Sequence, residues 1–158
     1  MKRILLILIL ALPHTLLAQS KAVERFFDSY LASESVTSVQ LEPKMMQLMS
    51  RQAAERGDEE LAQLLRDIRF IRIVALKGGD RERFVDDARR AVTAGGFPLV
   101  TSSTEQGQTT LFYLREARLT DNAELLMLTY GPKETVVVDI YGAFDLQEVV
   151  RLSAIRPQ

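Results

Sequence analysis

The chain has 158 residues, with 20 basic against 21 acidic side chains and a formal net charge of −1, so it offers no general electrostatic reason to bind nucleic acid or an anionic lipid surface. It contains no cysteine and a single histidine, His14. Disulfides, a thiol nucleophile and thiolate metal ligation are excluded from the start.

The chain opens on Met1-Lys2-Arg3 and continues from Ile4 to Leu12 without a polar side chain. Pro13 and His14 interrupt the run, and Leu16-Leu17-Ala18 supplies a small residue for a signal peptidase. This order predicts a secretory signal peptide over residues 1–18 and a single mature domain over 19–158, placed in the periplasm or outside the cell. The apolar run is about half of what a bilayer-spanning helix needs, so the mature chain is expected to have no transmembrane segment. Leu16 occupies the −3 position, where a small residue is usual, and leaves cleavage a residue or two away, or retention as an N-terminal anchor, as alternatives. A lipid anchor would need a cysteine at the cut, and none is present.

Removing 18 of the 158 residues leaves 140, enough for one well-packed domain. Lys2 and Arg3 go with the leader, leaving 18 basic against 21 acidic residues and a mature charge of −3. His14 goes too, which removes the Ser-His-Asp triad, haem ligation by histidine and zinc sites with nitrogen ligands. Only enzymes built on carboxylates, lysine or tyrosine pass this filter.

In chain order, Val23, Phe26, Phe27, Tyr30 and Leu31 have helical spacing and predict a helix from about 21 to 32. Thr37, Val39 and Leu41 alternate with polar residues as in a strand. Pro43 can start a helix carrying Met45, Met46, Met49 and Ala53, and Asp58 can cap a further helical piece with Leu61, Leu64 and Leu65. Ile68 to Leu76 is almost wholly apolar and reads as a buried strand. After Lys77-Gly78-Gly79, Asp80 can cap a helix through Phe84, Val85, Ala88, Ala91 and Val92 that ends at Gly95-Gly96. Phe97, Leu99 and Thr101 then predict a strand, with residues 102–107 as a polar turn. Strands over 108–116, 123–130 and 136–141 follow, and Asp145 with Glu148 can cap a short C-terminal helix. Such short links predict an antiparallel four-strand meander. The expected fold is α+β, a mostly antiparallel sheet with helices packed mainly on one face.

Lys77-Gly78-Gly79-Asp80 joins a buried strand to a helix N-terminus, the setting in which backbone N–H groups can hold an anion, so Gly78 and Gly79 are the candidate anion site. Asp80 would place its own negative charge there. Asp86 and Asp87 diverge by about 100° on a helix and form no two-carboxylate pair, and no stretch has calcium-loop spacing. No catalytic, cofactor-binding or metal-ligating residues are expected. Basic residues such as Arg66, Arg69, Arg72, Arg89 and Arg90 alternate with acids and read as a solvated mixed-charge surface. Met45, Met46 and Met49, with Phe112 and Tyr113 of the meander, are the candidate partner surface, against the plainer alternative that they are core.

The opening helix, the Ser35-Val36-Thr37-Ser38-Val39 strand entry, the Met45-Met46 helix, the Ile71–Leu76 strand, and the closing hairpins with Gly142 and Asp145 together resemble the DUF4252 family. The resemblance spans about Val23 to Leu152. It implies a short exported protein of a Gram-negative bacterium, and brings no established activity or catalytic residues to these positions.

The expected function is a non-enzymatic binding or structural module of the cell envelope, meeting another envelope protein or its own copy. A small-molecule or lipid-binding protein is the alternative, and an enzyme using carboxylates, lysine or tyrosine a further one. The nature of the largest concavity separates the three.

Overall fold

The computed structural model describes residues 20–116 and 121–144. In chain order it contains α1 (Lys21–Leu31), β1 (Val36–Leu41), α2 (Pro43–Glu55), α3 (Glu59–Asp67), β2 (Ile68–Leu76), α4 (Arg81–Ala94), β3 (Leu99–Glu105), β4 (Gln108–Glu116), β5 (Ala123–Tyr130) and β6 (Thr135–Gly142). The predicted leader and the predicted Asp145 helix lie outside the described residues. Among those residues no helix is long and apolar enough to cross a membrane.

The elements start where the sequence chemistry says they should. Asp58 accepts from the Leu61 amide and Asp80 from the Arg83 amide, each at 3.0 Å, so both aspartates satisfy a helix N–H that has no partner inside the helix. Pro43 opens α2, where its missing N–H costs nothing.

The six strands form one antiparallel sheet in the order β1-β2-β6-β5-β4-β3. The meander from β3 to β6 is as predicted, and β2 enters between β1 and β6. Two expectations need correction. The helices divide between the faces instead of gathering mainly on one: α1 and α4 pack one face with Val74, Leu126, Leu128 and Val137, whereas α2 and α3 pack the other with Leu125 and Ile140. Leu125 and Leu126 are sequence neighbours, so strand alternation sends them to opposite cores. Phe27, Phe84 and Leu126 are almost fully buried in the first core, each contributing about 2–3 kcal/mol by removal from water.

The second correction concerns β3. Residues 102–105 continue the strand instead of turning, and Phe97 lies before it as a buried core residue. Ser103, Thr104 and Glu105 pair with Thr110, Thr109 and Gln108, and the turn shrinks to Gln106-Gly107. Both turn residues have positive φ, 49° and 77°, the geometry of the two-residue turns that match strand twist, and glycine adopts the second without strain.

Candidate functional site

A concavity lies where the end of α1 meets the start of α4. It is a half-open cavity of about 390 Å³ lined by Tyr30, Ser33, Ser35, Asp80, Arg83 and Asp87 among others. The Tyr30 hydroxyl donates to Asp87 Oδ2 at 2.7 Å, Arg90 donates to Asp87 Oδ1, and Arg83 Nε stands 3.9 Å from Oδ2. Burial, then the bond to Asp87, pushes Tyr30 up to about 12. Burial alone would raise Asp87, but bonds from Tyr30 and Arg90 and the charges of Arg90 and Arg83 hold it below the ordinary carboxylate range. Both groups move away from neutrality, and neither is tuned to exchange a proton near pH 7. The network ties α1 to α4.

Gly78 and Gly79 sit beside this cavity in the turn from β2 to α4. The amides of Lys77 and Gly78 donate to the Ser35 carbonyl, at 2.8 and 3.4 Å, and Asp80 occupies the Arg83 amide. Three of the amides around this turn, those of Lys77, Gly78 and Arg83, are thus engaged by the protein itself.

Of the candidate partner residues, Met46, Met49 and Phe112 share the α2–α3 core cluster, whereas Met45 and Tyr113 lie apart from it. Met46 is 1 % exposed and belongs to the α2–α3 core, Met49 is half-buried, and Met45 is exposed beside Leu48 on α2. Phe112 and Tyr113 point to opposite faces, Phe112 to the α2–α3 side and Tyr113 to the α1–α4 side. The aromatics of the meander do not face one another; Tyr141 instead stacks on Phe70 of β2, with 5.4 Å between centroids.

Sequence patterning missed a layer of buried charge under α1 and α4. Arg72 on β2 is buried, contrary to its expected place on a solvated surface, while Arg66, Arg69, Arg89 and Arg90 are exposed. Arg72 bonds Asp139 of β6, and its guanidinium lies 4.6 Å from the Phe27 ring centroid and 5.1 Å from that of Phe70. Beside this pair, Arg115 of β4 bonds the buried Glu124 of β5 at 2.6 Å and covers the Phe97 ring. The available signal was the single charge in each of the apolar runs of β5 and β6, Glu124 and Asp139, since such a charge is tolerated inside only when paired. Arg72, Asp139 and Glu124 are buried, and the Arg115 side chain is a quarter exposed.

The most accessible element is β3, which ends the sheet. All seven of its residues are exposed, including Leu99 at 53 % and Val100 at 47 %. Glu105 is its only charged residue.

The fold is thus a two-sided α+β sheet with a layer of paired charge, Arg72–Asp139 and Arg115–Glu124, beneath α1 and α4 and an exposed edge strand, β3. The chain belongs to the DUF4252 family: the family model described as "Domain of unknown function (DUF4252)" matches residues 30–152. No curated protein and no solved structure matches it. Among the described residues no three acidic or histidine side chains gather as metal ligands would.

Proposed function

We propose that this protein is a non-enzymatic binding module of the bacterial cell envelope, exported by its N-terminal leader, and that it works by strand addition at β3 with a second copy of itself. The carrying observation is a seven-residue edge strand exposed on every residue, bulged between Leu99 and Thr101 but regular from Thr101 to Glu105, where it is free of the lysines, prolines and inward charges that normally blunt an edge.

Register supports self-pairing. Glu105 and Gln108 flank the turn as a hydrogen-bonded pair, and such pairs alternate along an antiparallel ladder. Ser102 and Thr104 therefore turn their backbone N–H and C=O groups away from β4. Antiparallel pairing centred on Ser103 brings these groups of Ser102 onto those of Thr104 in a second copy. Each Glu105 then lies opposite the neutral Thr101 of the other strand, about 13 Å from its like charge.

Ser102→Pro removes an outward donor without touching the bonds to β4. Solution mass measurement is expected to give a dimer for the mature chain and a monomer of unchanged circular dichroism for Ser102→Pro. A monomeric wild-type chain that holds a defined envelope protein in a Ser102→Pro-sensitive way replaces self-pairing by a foreign strand. A monomer that holds nothing overturns strand addition.

A further inference from the structure

We infer that Glu124 is a binding site for the α-ammonium group that removal of the leader creates. Ser20, the first described residue, is buried at 5 % exposure, and its side chain makes no cap bond to α1. Its backbone N–H instead donates to Glu124 Oε2 at 3.3 Å. Glu124 is 1 % exposed, and its other oxygen, Oε1, is buried with no hydrogen-bond partner among the described residues. A carboxylate oxygen withdrawn from water without a donor is costly, so the site is built for one more donor, preferably a cation.

The chain cannot easily move away from it. A Cβ on Gly95 would run into Ser20 Oγ and the Phe97 ring, so the end of α4 closes tightly over Ser20. Arg115 spans the same place, reaching Glu124 through Nη2 and the Gly95 carbonyl through Nη1. The other charges in this layer are Asp139, which repels Glu124, and Arg72, which pairs with Asp139.

Hydrolysis of the Ala18–Gln19 bond by a signal peptidase adds water, leaving a carboxylate on Ala18 and an ammonium group on Gln19. That nitrogen is one residue from the Ser20 amide, and consecutive Cα atoms are about 3.8 Å apart. A cut after Gln19 would make the Ser20 nitrogen itself the ammonium. In the precursor the same atom is a neutral amide. The folded state gains a charge-assisted contact only once the leader is gone, leaving the precursor less tightly folded while it crosses the membrane. This inference rests on the leader and is independent of pairing at β3.

The test compares the mature chain starting at free Gln19 with the same chain after cyclisation of Gln19 to pyroglutamate, in which the α-nitrogen displaces ammonia from the side-chain amide and the ammonium becomes a neutral lactam N–H. In urea at pH 6.5 the cyclised form is expected to have an unfolding constant about tenfold larger, as for loss of one charge-assisted contact. Glu124→Gln should abolish that difference. By NMR, the α-amine of the uncyclised wild type should titrate above the usual value of about 8. Equal stability of the two forms, or an α-amine at its usual value, overturns the site even if Glu124→Gln does not fold. N-terminal sequencing of the exported protein separates the two failures. A chain retaining residues 1–18 overturns leader and site together, whereas one starting at Gln19 with an ordinary α-amine overturns the site alone.

Discussion

Arg72 and Asp139 stand opposite each other in the β2–β6 ladder and close a buried ion pair, with 2.6 Å between Nη2 and Oδ2. Asp139 is fully buried, and its Oδ1 has no hydrogen-bond partner among the described residues. Burial, followed by the charge of Glu124, outweighs Arg72 and pushes the carboxyl up to about 7. The unfolded aspartate titrates at about 3.9. Between these values the folded chain binds a proton that the unfolded chain has lost. The contribution is therefore fully present below about pH 4 and lost as pH rises through about 7. Urea unfolding across this window is expected to show this fall, worth a few kcal/mol, and Asp139→Asn should flatten it. A variant that keeps the wild-type slope would assign the titration to another group.

The same pair predicts a pH-dependent cost for Arg72→Met. Above pH 8 the variant must either leave Asp139 ionised without its cation or protonate it against the solution pH, and the expected loss is about 3–5 kcal/mol. At pH 5 the carboxyl escapes by binding a proton, and the loss should shrink to that of missing contacts with Phe27 and Phe70. Unfolding at the two pH values checks this directly. Equal losses would mean that Arg72 acts through ring packing alone.

Much of this architecture was legible because local chemistry and tertiary structure agree. The predicted bounds of β2, β4 and β5 match, and Asp58 and Asp80 cap the helices assigned to them. The division of helices between two faces was also written in the chain, since Leu125, Leu126, Met127 and Leu128 run without alternation, the mark of a strand covered on both sides. The length of β3 was obscured because serine and threonine suit a turn as well as an edge strand, and pairing with β4 decides between them. The sites were less legible. Met46 and Met45 are adjacent and chemically alike, and only the rotation of α2 makes one core and the other surface. The closeness of Ser20 to Glu124 spans 104 residues and has no local signature.

Tyr30 and Asp87 supply a third expectation, at the α1–α4 junction. Tyr30→Phe removes the hydroxyl but leaves Asp87 with Arg90 and Arg83, so the loss should be only about 1 kcal/mol. In the wild type one tyrosine should resist ionisation until about pH 12, and an absorbance titration of Tyr30→Phe should lack it. A loss of several kcal/mol would mean that the hydroxyl is a main tie between the helices.

Within α2, adjacent methionines should respond very differently to truncation. Met46 is enclosed by the core that includes Ala53, Leu65 and Leu125, and Met46→Ala removes its packing and leaves a cavity. The expected cost is about 2–5 kcal/mol, with the upper end applying if α3 cannot settle into the space. Met45 is 45 % exposed, and Met45→Ala should change stability by less than about 0.5 kcal/mol. Urea unfolding of the two variants measures the contrast. Similar small losses at both would show that α2 is held to the sheet by something other than Met46.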